Sequence, residues 1–211
     1  MNGVNRGIFR LLPVFLLLFL GVSSCSQKEE RRILVIHSYE ETYAAYPEFN
    51  RMIAGQFEKE KIDADIRTVY LDCESYWEEP ELERMRFLVD SVSRDWRPEV
   101  ILVNEDQATY SLMKCGIQLA KEVPVVFGGV NYPNWGLLKH HPNVTGFHDK
   151  IAFNENISVA KELFGEHVRL FTMLDTTYID RQIRRDAKEQ FKGHKVTGFI
   201  DNPELSPEEQ I

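Results

Sequence analysis

The sequence predicts an α/β fold: a parallel sheet flanked by helices, followed by part of a second α/β lobe. Three observations carry that prediction. Runs such as Ile33-Leu34-Val35-Ile36 and Val100-Ile101-Leu102-Val103 are apolar at every position, the pattern of strands buried on both faces. The segments between them carry apolar residues at helical spacing. Strand and helix alternate, which calls for parallel pairing through right-handed crossovers, with helices on both faces.

The first strand covers residues 33–36, and Phe49, Met52, Ile53 and Phe57 mark an amphipathic helix over 47–61. The second strand spans 66–71. Pro80 suits the first turn of the next helix, where its missing N–H costs nothing, and Leu82, Met85, Leu88, Val89 and Val92 form its buried stripe, ending near Asp95. After the third strand, 100–103, Asp106 is placed as the cap of a helix carrying Tyr110, Leu112, Met113 and Ile117. The fourth strand is 123–127, with Pro124 tolerated at its start.

Residues 128–141 hold turn-formers without periodicity, and His140-His141 reads as a solvated loop. Then come a fifth strand over 144–147, a helix over 153–164 and a strand around 168–174. A charged helix over 178–191, with the Arg181–Arg185 and Lys188 cluster on a solvated face, leads to a strand over 196–200. Gly193 fits a helix C-terminus, and Ser206-Pro207 opens another helix. The first lobe is therefore 33–150 and a partial second lobe 151–211. Two strands and two helices do not close a sheet of their own. Either they pack on the first sheet or the chain is cut short; the second is the expectation.

At the N-terminus, Arg6 and Arg10 precede an apolar run over 11–20, and small residues lead into Cys25. These are the parts of a secretory signal over 1–24, with a run well below the roughly 20 residues a bilayer span takes. Val22-Ser23-Ser24-Cys25 resembles a bacterial lipobox, whose cysteine is lipidated after cleavage of the preceding bond. An ordinary signal peptide or an uncleaved anchor is the alternative. Residues 25–32 then form a lipidated tether, and the expected address is extracytoplasmic: a membrane-anchored lipoprotein in the periplasm or at the cell surface. The composition, 43% hydrophobic and 27% charged, is that of a globular protein, and the net charge of −8 argues against nucleic acid as a partner. Cys73 and Cys115 lack zinc-site spacing, so no metal is expected; they either pair as a disulfide or, as expected, stay as buried free thiols.

Ligands of open α/β sheets bind outside the carboxyl ends of the strands. That rule nominates Ser38 and Tyr39 after the first strand, Asp72 after the second, and Asn104 and Glu105 after the third. Gly128, Gly129 and Asn131 follow the fourth strand, and Asp175 and Thr176 the first strand of the second lobe. Aromatic plates and short hydrogen-bonding side chains recur among them, as a buried polar ligand requires. Glu105 and Asp106 would repel an anion, which favours a neutral, zwitterionic or cationic small molecule.

Plainer readings stand beside these. Ser38, Asp72 and Asp106 suit turns or caps, Gly128-Gly129 a turn, and Tyr43, Tyr46 and Trp77 a helix–sheet seam. Trp96 and Trp135 read as packing residues and His37 as a satisfied buried histidine. A Ser38–His37–Asp72 hydrolase set is conceivable, but there is no G-x-S-x-G elbow, HExxH, P-loop or dinucleotide fingerprint. No catalytic residue and no cofactor are expected.

The block Val123-Pro124-Val125-Val126-Phe127-Gly128-Gly129-Val130-Asn131-Tyr132-Pro133, followed by Asn143-Val144-Thr145-Gly146-Phe147, resembles the ABC-transporter substrate-binding proteins of the type I periplasmic-binding-protein-like fold. The resemblance implies two lobes that clamp a small ligand by hinge motion. It implies either a receptor for an ABC permease or the ligand-sensing input of a two-component sensor histidine kinase. The Ile33–Tyr39 opening, with Tyr43 and Tyr46 beyond it, looks more like the sensor-associated branch. The chain departs from the family pattern by ending before a second lobe is complete.

Overall fold

A computed structural model describes residues 30–76, 79–166, 174 and 177–191. The signal and Cys25, Trp77, nearly all of the strand around 168–174, Asp175, Thr176, the strand over 196–200 and the closing helix lie outside the described residues.

The elements run β1 (Arg31–His37), α1 (Tyr46–Lys59), β2 (Ala64–Tyr70), α2 (Glu79–Ser93), β3 (Val100–Asn104), α3 (Asp106–Lys114), α4 (Leu119–Glu122), β4 (Val125–Val130), α5 (Trp135–Leu138), β5 (Val144–His148), α6 (Phe153–Phe164) and α7 (Tyr178–Gln190). The five strands form one sheet in the order β2-β1-β3-β4-β5, and every neighbouring pair is parallel. The predicted α/β class is therefore the observed one. In this order the chain leaves β1 in one direction to reach β2 and in the other to reach β3. Open α/β sheets hold ligands where the order reverses in this way, here at the carboxyl ends of β1 and β3.

The two faces of the sheet are covered unequally. Side chains alternate between faces along a strand. Leu34, Ile36, Ile101, Val103, Val125 and Phe127 point to the face that α2, α3 and α4 seal, in one core with Leu82, Met85, Val89, Ala108 and Leu112. On the opposite face Ile33 and Val35 of β1 are buried, whereas Val100, Leu102 and Val126 are only half-buried. At the far edge Phe147 is 81% exposed. Helices were expected on both faces. Here α1 covers the second face over β1 and β2, where Tyr46 stacks on the His37 ring at 3.9 Å.

Several expectations need correction. Strand β4 extends through Gly128 and Gly129 to Val130, so the glycines stand inside the strand. Pairing with β5 is irregular between Phe127 and Val130. Gly129 has φ +63°, and a Cβ there would stand 3.0 Å from Asn104 Oδ1, so both backbone and space favour glycine. Gly146 is demanded by proximity, since a Cβ on it would meet the Phe127 carbonyl and ring. Ile117 falls beyond α3, and residues 128–141 include the short helix α5, which has no room for a readable period. Asn134 starts α5 by accepting from the Leu137 N–H. His141 is buried, unlike exposed His140. Trp135 is 60% exposed, whereas Trp96 is buried as expected, donating to Asp65 under the Arg67 guanidinium. Arg184 leaves the solvated face of its helix and donates to the Leu174 carbonyl at 3.0 Å. Cys73 and Cys115 are free thiols, with Cys73 half-buried; burial and the Glu81, Glu74 and Glu105 carboxylates push the Cys73 thiol up.

Candidate functional site

The candidate site is built around the ends of β1 and β3. His37, the last residue of β1, is fully buried between Tyr46 and Tyr70. Its Nε2 lies 2.8 Å from Asn50 Oδ1 and its Nδ1 3.3 Å from Asn104 Nδ2. Asn50 in turn donates from Nδ2 to the Tyr70 hydroxyl at 3.2 Å. This order of donors and acceptors makes His37 a neutral imidazole carrying its proton on Nε2. Burial pushes its pKa below the ordinary histidine value, against the opposing bond to Asn50.

Ser38 is buried too, and its hydroxyl has two backbone partners. It donates to the Asn104 carbonyl at 3.0 Å and accepts from the Ala108 N–H at 2.9 Å. It thus caps the first turn of α3 from a neighbouring strand. Asp106, expected as the cap, is instead the first residue of the helix, and Glu105 occupies the cap position without a side-chain capping bond. The Asp106 carboxylate faces the loop after β4, accepting from the backbone N–H of Asn131 at 2.9 Å and of Tyr132 at 2.6 Å. Burial raises its pKa, and those two bonds oppose the rise. Ser38 and His37 therefore bond elsewhere, and the conceivable hydrolase set is not assembled through a serine–histidine hydrogen bond.

Glu105 has φ +74°, an uncommon conformation for a side chain of this size. Its Oε2 accepts from the Tyr46 hydroxyl at 2.7 Å, and the same hydroxyl accepts from the Tyr39 N–H at 2.9 Å. Burial raises the Glu105 pKa, with the Tyr46 bond opposing it. Tyr39 stacks on Tyr43, which is half in solvent. Among the described residues no lysine or arginine pairs with Glu105 or Asp106. Asp72 sits at φ +57° in a tight turn and donates its N–H to the Tyr39 carbonyl at 3.4 Å.

The structure thus brings Ser38, Tyr39, Asp72, Asn104 and Glu105 to one end of the sheet, with Gly129 beside Asn104. Gly128 pairs with Asn104 in the strand ladder. Asn131 stands a step further along, its Nδ2 donating to the Asp149 carbonyl at 3.4 Å. Asn50 and Arg84 were missed. Asn50 follows Tyr46 by four residues, so helical spacing could have placed both against His37. Arg84 donates to the Leu71 and Tyr70 carbonyls at the end of β2, for which the sequence carries no local signal.

Helix α7, placed by sequence in the second lobe, docks on this end of the first. Tyr178 stacks flat on Tyr110, with centroids 4.4 Å apart and planes 4° apart, and its hydroxyl donates to the Tyr132 carbonyl at 2.7 Å. The Tyr132 hydroxyl donates to Asp186 at 2.8 Å. Burial, with the Asp106 charge second, pushes the Tyr178 pKa up to about 12.

Sheet order and flanking helices define an open, parallel α/β lobe. A solved structure agrees with that fold: the ligand-free, open form of a substrate-binding protein with adhesive properties from Clostridium difficile is similar to this chain with a TM-score of 0.50 at 14% identity. The similarity covers 82% of this chain, which spans 58% of that one. No family model matches the sequence. No curated protein matches it either.

Proposed function

We propose that the protein is an extracytoplasmic, lipid-anchored receptor that binds a small polar molecule at the carboxyl ends of β1, β3 and β4. The observation that carries this reading is the gathering of polar groups at one point of the sheet. Tyr39, Asn104, Glu105 and Gly129 converge where the strand order reverses, the position at which open α/β sheets hold ligands. The substrate-binding neighbour supports the same use of the fold. Two carboxylates without a cationic partner among the described residues favour a neutral, zwitterionic or cationic ligand over an anion. Contacts from a second lobe, with Asp175 and Thr176 at its first strand end, would favour a closed state once ligand is bound. An ABC permease is the partner this role implies.

Thermal denaturation of the full chain against a panel of amino acids, sugars and polyamines tests the reading. At least one compound should raise Tm, and Asn104→Ala should weaken its binding tenfold or more, about 1.4 kcal/mol. A panel that leaves Tm unmoved, or an undiminished affinity in the variant, overturns it. The tyrosine-bearing opening after β1 supports a second reading, the ligand-sensing input of a sensor histidine kinase. The DNA beyond codon 211 separates the two, since a kinase core in the same frame would select the second.

A further inference from the structure

The half-buried chain Tyr70–Asn50–His37–Asn104 has a direction, and it ends at the strand-end site. Asn50 donates to Tyr70 and accepts from His37 Nε2, which leaves His37 Nδ1 as an acceptor for Asn104 Nδ2. With its amide nitrogen drawn inward to His37, Asn104 turns its Oδ1 over Gly129, 3.0 Å from where a Cβ would stand. Only glycine at that point leaves the oxygen uncovered. The Asn104 backbone carbonyl is held by Ser38, so the residue's own backbone is fixed while its amide group is oriented from within.

We propose that His37 is a positioning residue for the binding edge: it holds the Asn104 amide so that an acceptor faces the ligand, and the site selects a molecule presenting a hydroxyl or amine donor there. The proposal rests on the binding reading above and adds to it the polarity of one contact. If the imidazole gains a second proton, Nδ1 becomes a donor facing the Asn104 NH2, and the amide must turn and present its nitrogen instead. The titratable groups facing His37 are Tyr46 from α1 and Tyr70 from β2, with Glu105 reached through the Tyr46 hydroxyl; Phe49, Asn50 and Asn104 are its uncharged neighbours.

Nitrogen-15 NMR of the full chain tests this without a ligand. At pH 7 His37 should show a protonated Nε2 and a bare Nδ1, and the Asn104 side-chain NH2 signals should move with His37 as it titrates below pH 6.5. A proton on Nδ1, or Asn104 signals indifferent to His37, overturns the positioning role. Guanidinium, which only donates, and acetate, which only accepts, then probe the edge at millimolar concentration. Movement of the Asn104 signals with guanidinium alone supports donor selection; movement with acetate, or with neither, overturns it. Failure of the binding reading would show separately, as a Tm unmoved by every compound in the panel.

Discussion

Along β3, the side chains that point towards α2 and α3 are sealed, while Val100 and Leu102, pointing the other way, are half-buried. The difference between the two faces is one of chemistry as well as coverage. The sealed face is mainly apolar, and its stability scales with area removed from water. The closed part of the opposite face, over β1 and β2, is built from His37, Tyr46, Asn50 and Tyr70, whose contacts depend on orientation and proton position. The candidate site stands at the end of that second face. Apolar burial is thus concentrated on one side of the sheet, where Gln107 and Ser111 also donate to the buried Glu81 carboxylate, and the ring contacts of His37 stand on the other.

The comparison can be broken most forcefully at Leu112, which is fully buried in the apolar core. Leu112→Ala should cost about 3 kcal/mol, seen as a lowered urea midpoint with an unchanged slope. A loss below about 1 kcal/mol would mean that this face is not the main source of stability.

Acidification probes the polar face. The fold lowers the His37 pKa, so its contribution is present above the ordinary value of 6.5 and is lost as pH falls below it towards the folded value. A tenfold difference in proton affinity between the folded and unfolded chain is worth about 1.4 kcal/mol. Glu105 and Asp106 have the opposite sign, because their raised pKa values make their contribution disappear as pH rises through the folded values. The difference in unfolding free energy between the parent chain and His37→Gln should therefore narrow as pH drops below 6.5. A difference constant from pH 7.5 to 5 would sink the assignment of a neutral buried imidazole.

The smallest effect is expected on the half-covered stretch. Leu102→Thr should change stability by less than about 1 kcal/mol, measured by the same urea titration. A loss as large as that of Leu112→Ala would show the two faces to be equally important.

Much of this frame was legible in the residues. The strand cores of β1 and β3 and the stripe of α2 carry strong periodic signals, and local pattern alone placed them. The rule of strand carboxyl ends then brought Ser38, Tyr39, Asn104 and Glu105 together, because it needs only strand order and direction. What escaped were contacts made between distant segments. Asp106 has the residue type of a cap, yet two backbone N–H groups after β4 claim its carboxylate. Gly128-Gly129 looks like a turn by composition, but Gly128 pairs with β3 and Val130 with β5, so the strand runs through both glycines. His141 reads as solvated from its polar neighbour and is buried by tertiary packing. Asp175, Thr176 and Cys25 fall outside the described residues, so the second-lobe contacts and the anchor stay with the proposed function.

The hydroxyl of Ser38 joins positions 70 residues apart by accepting from the Ala108 N–H. A helix normally takes its cap from an adjacent residue and can organise its first turn alone. Here α3 lacks that cap until β1 lies beside β3, so local helix formation waits on a long-range event. Hydrogen exchange at the start of α3 should consequently be cooperative with β1, the two opening as one unit rather than fraying independently.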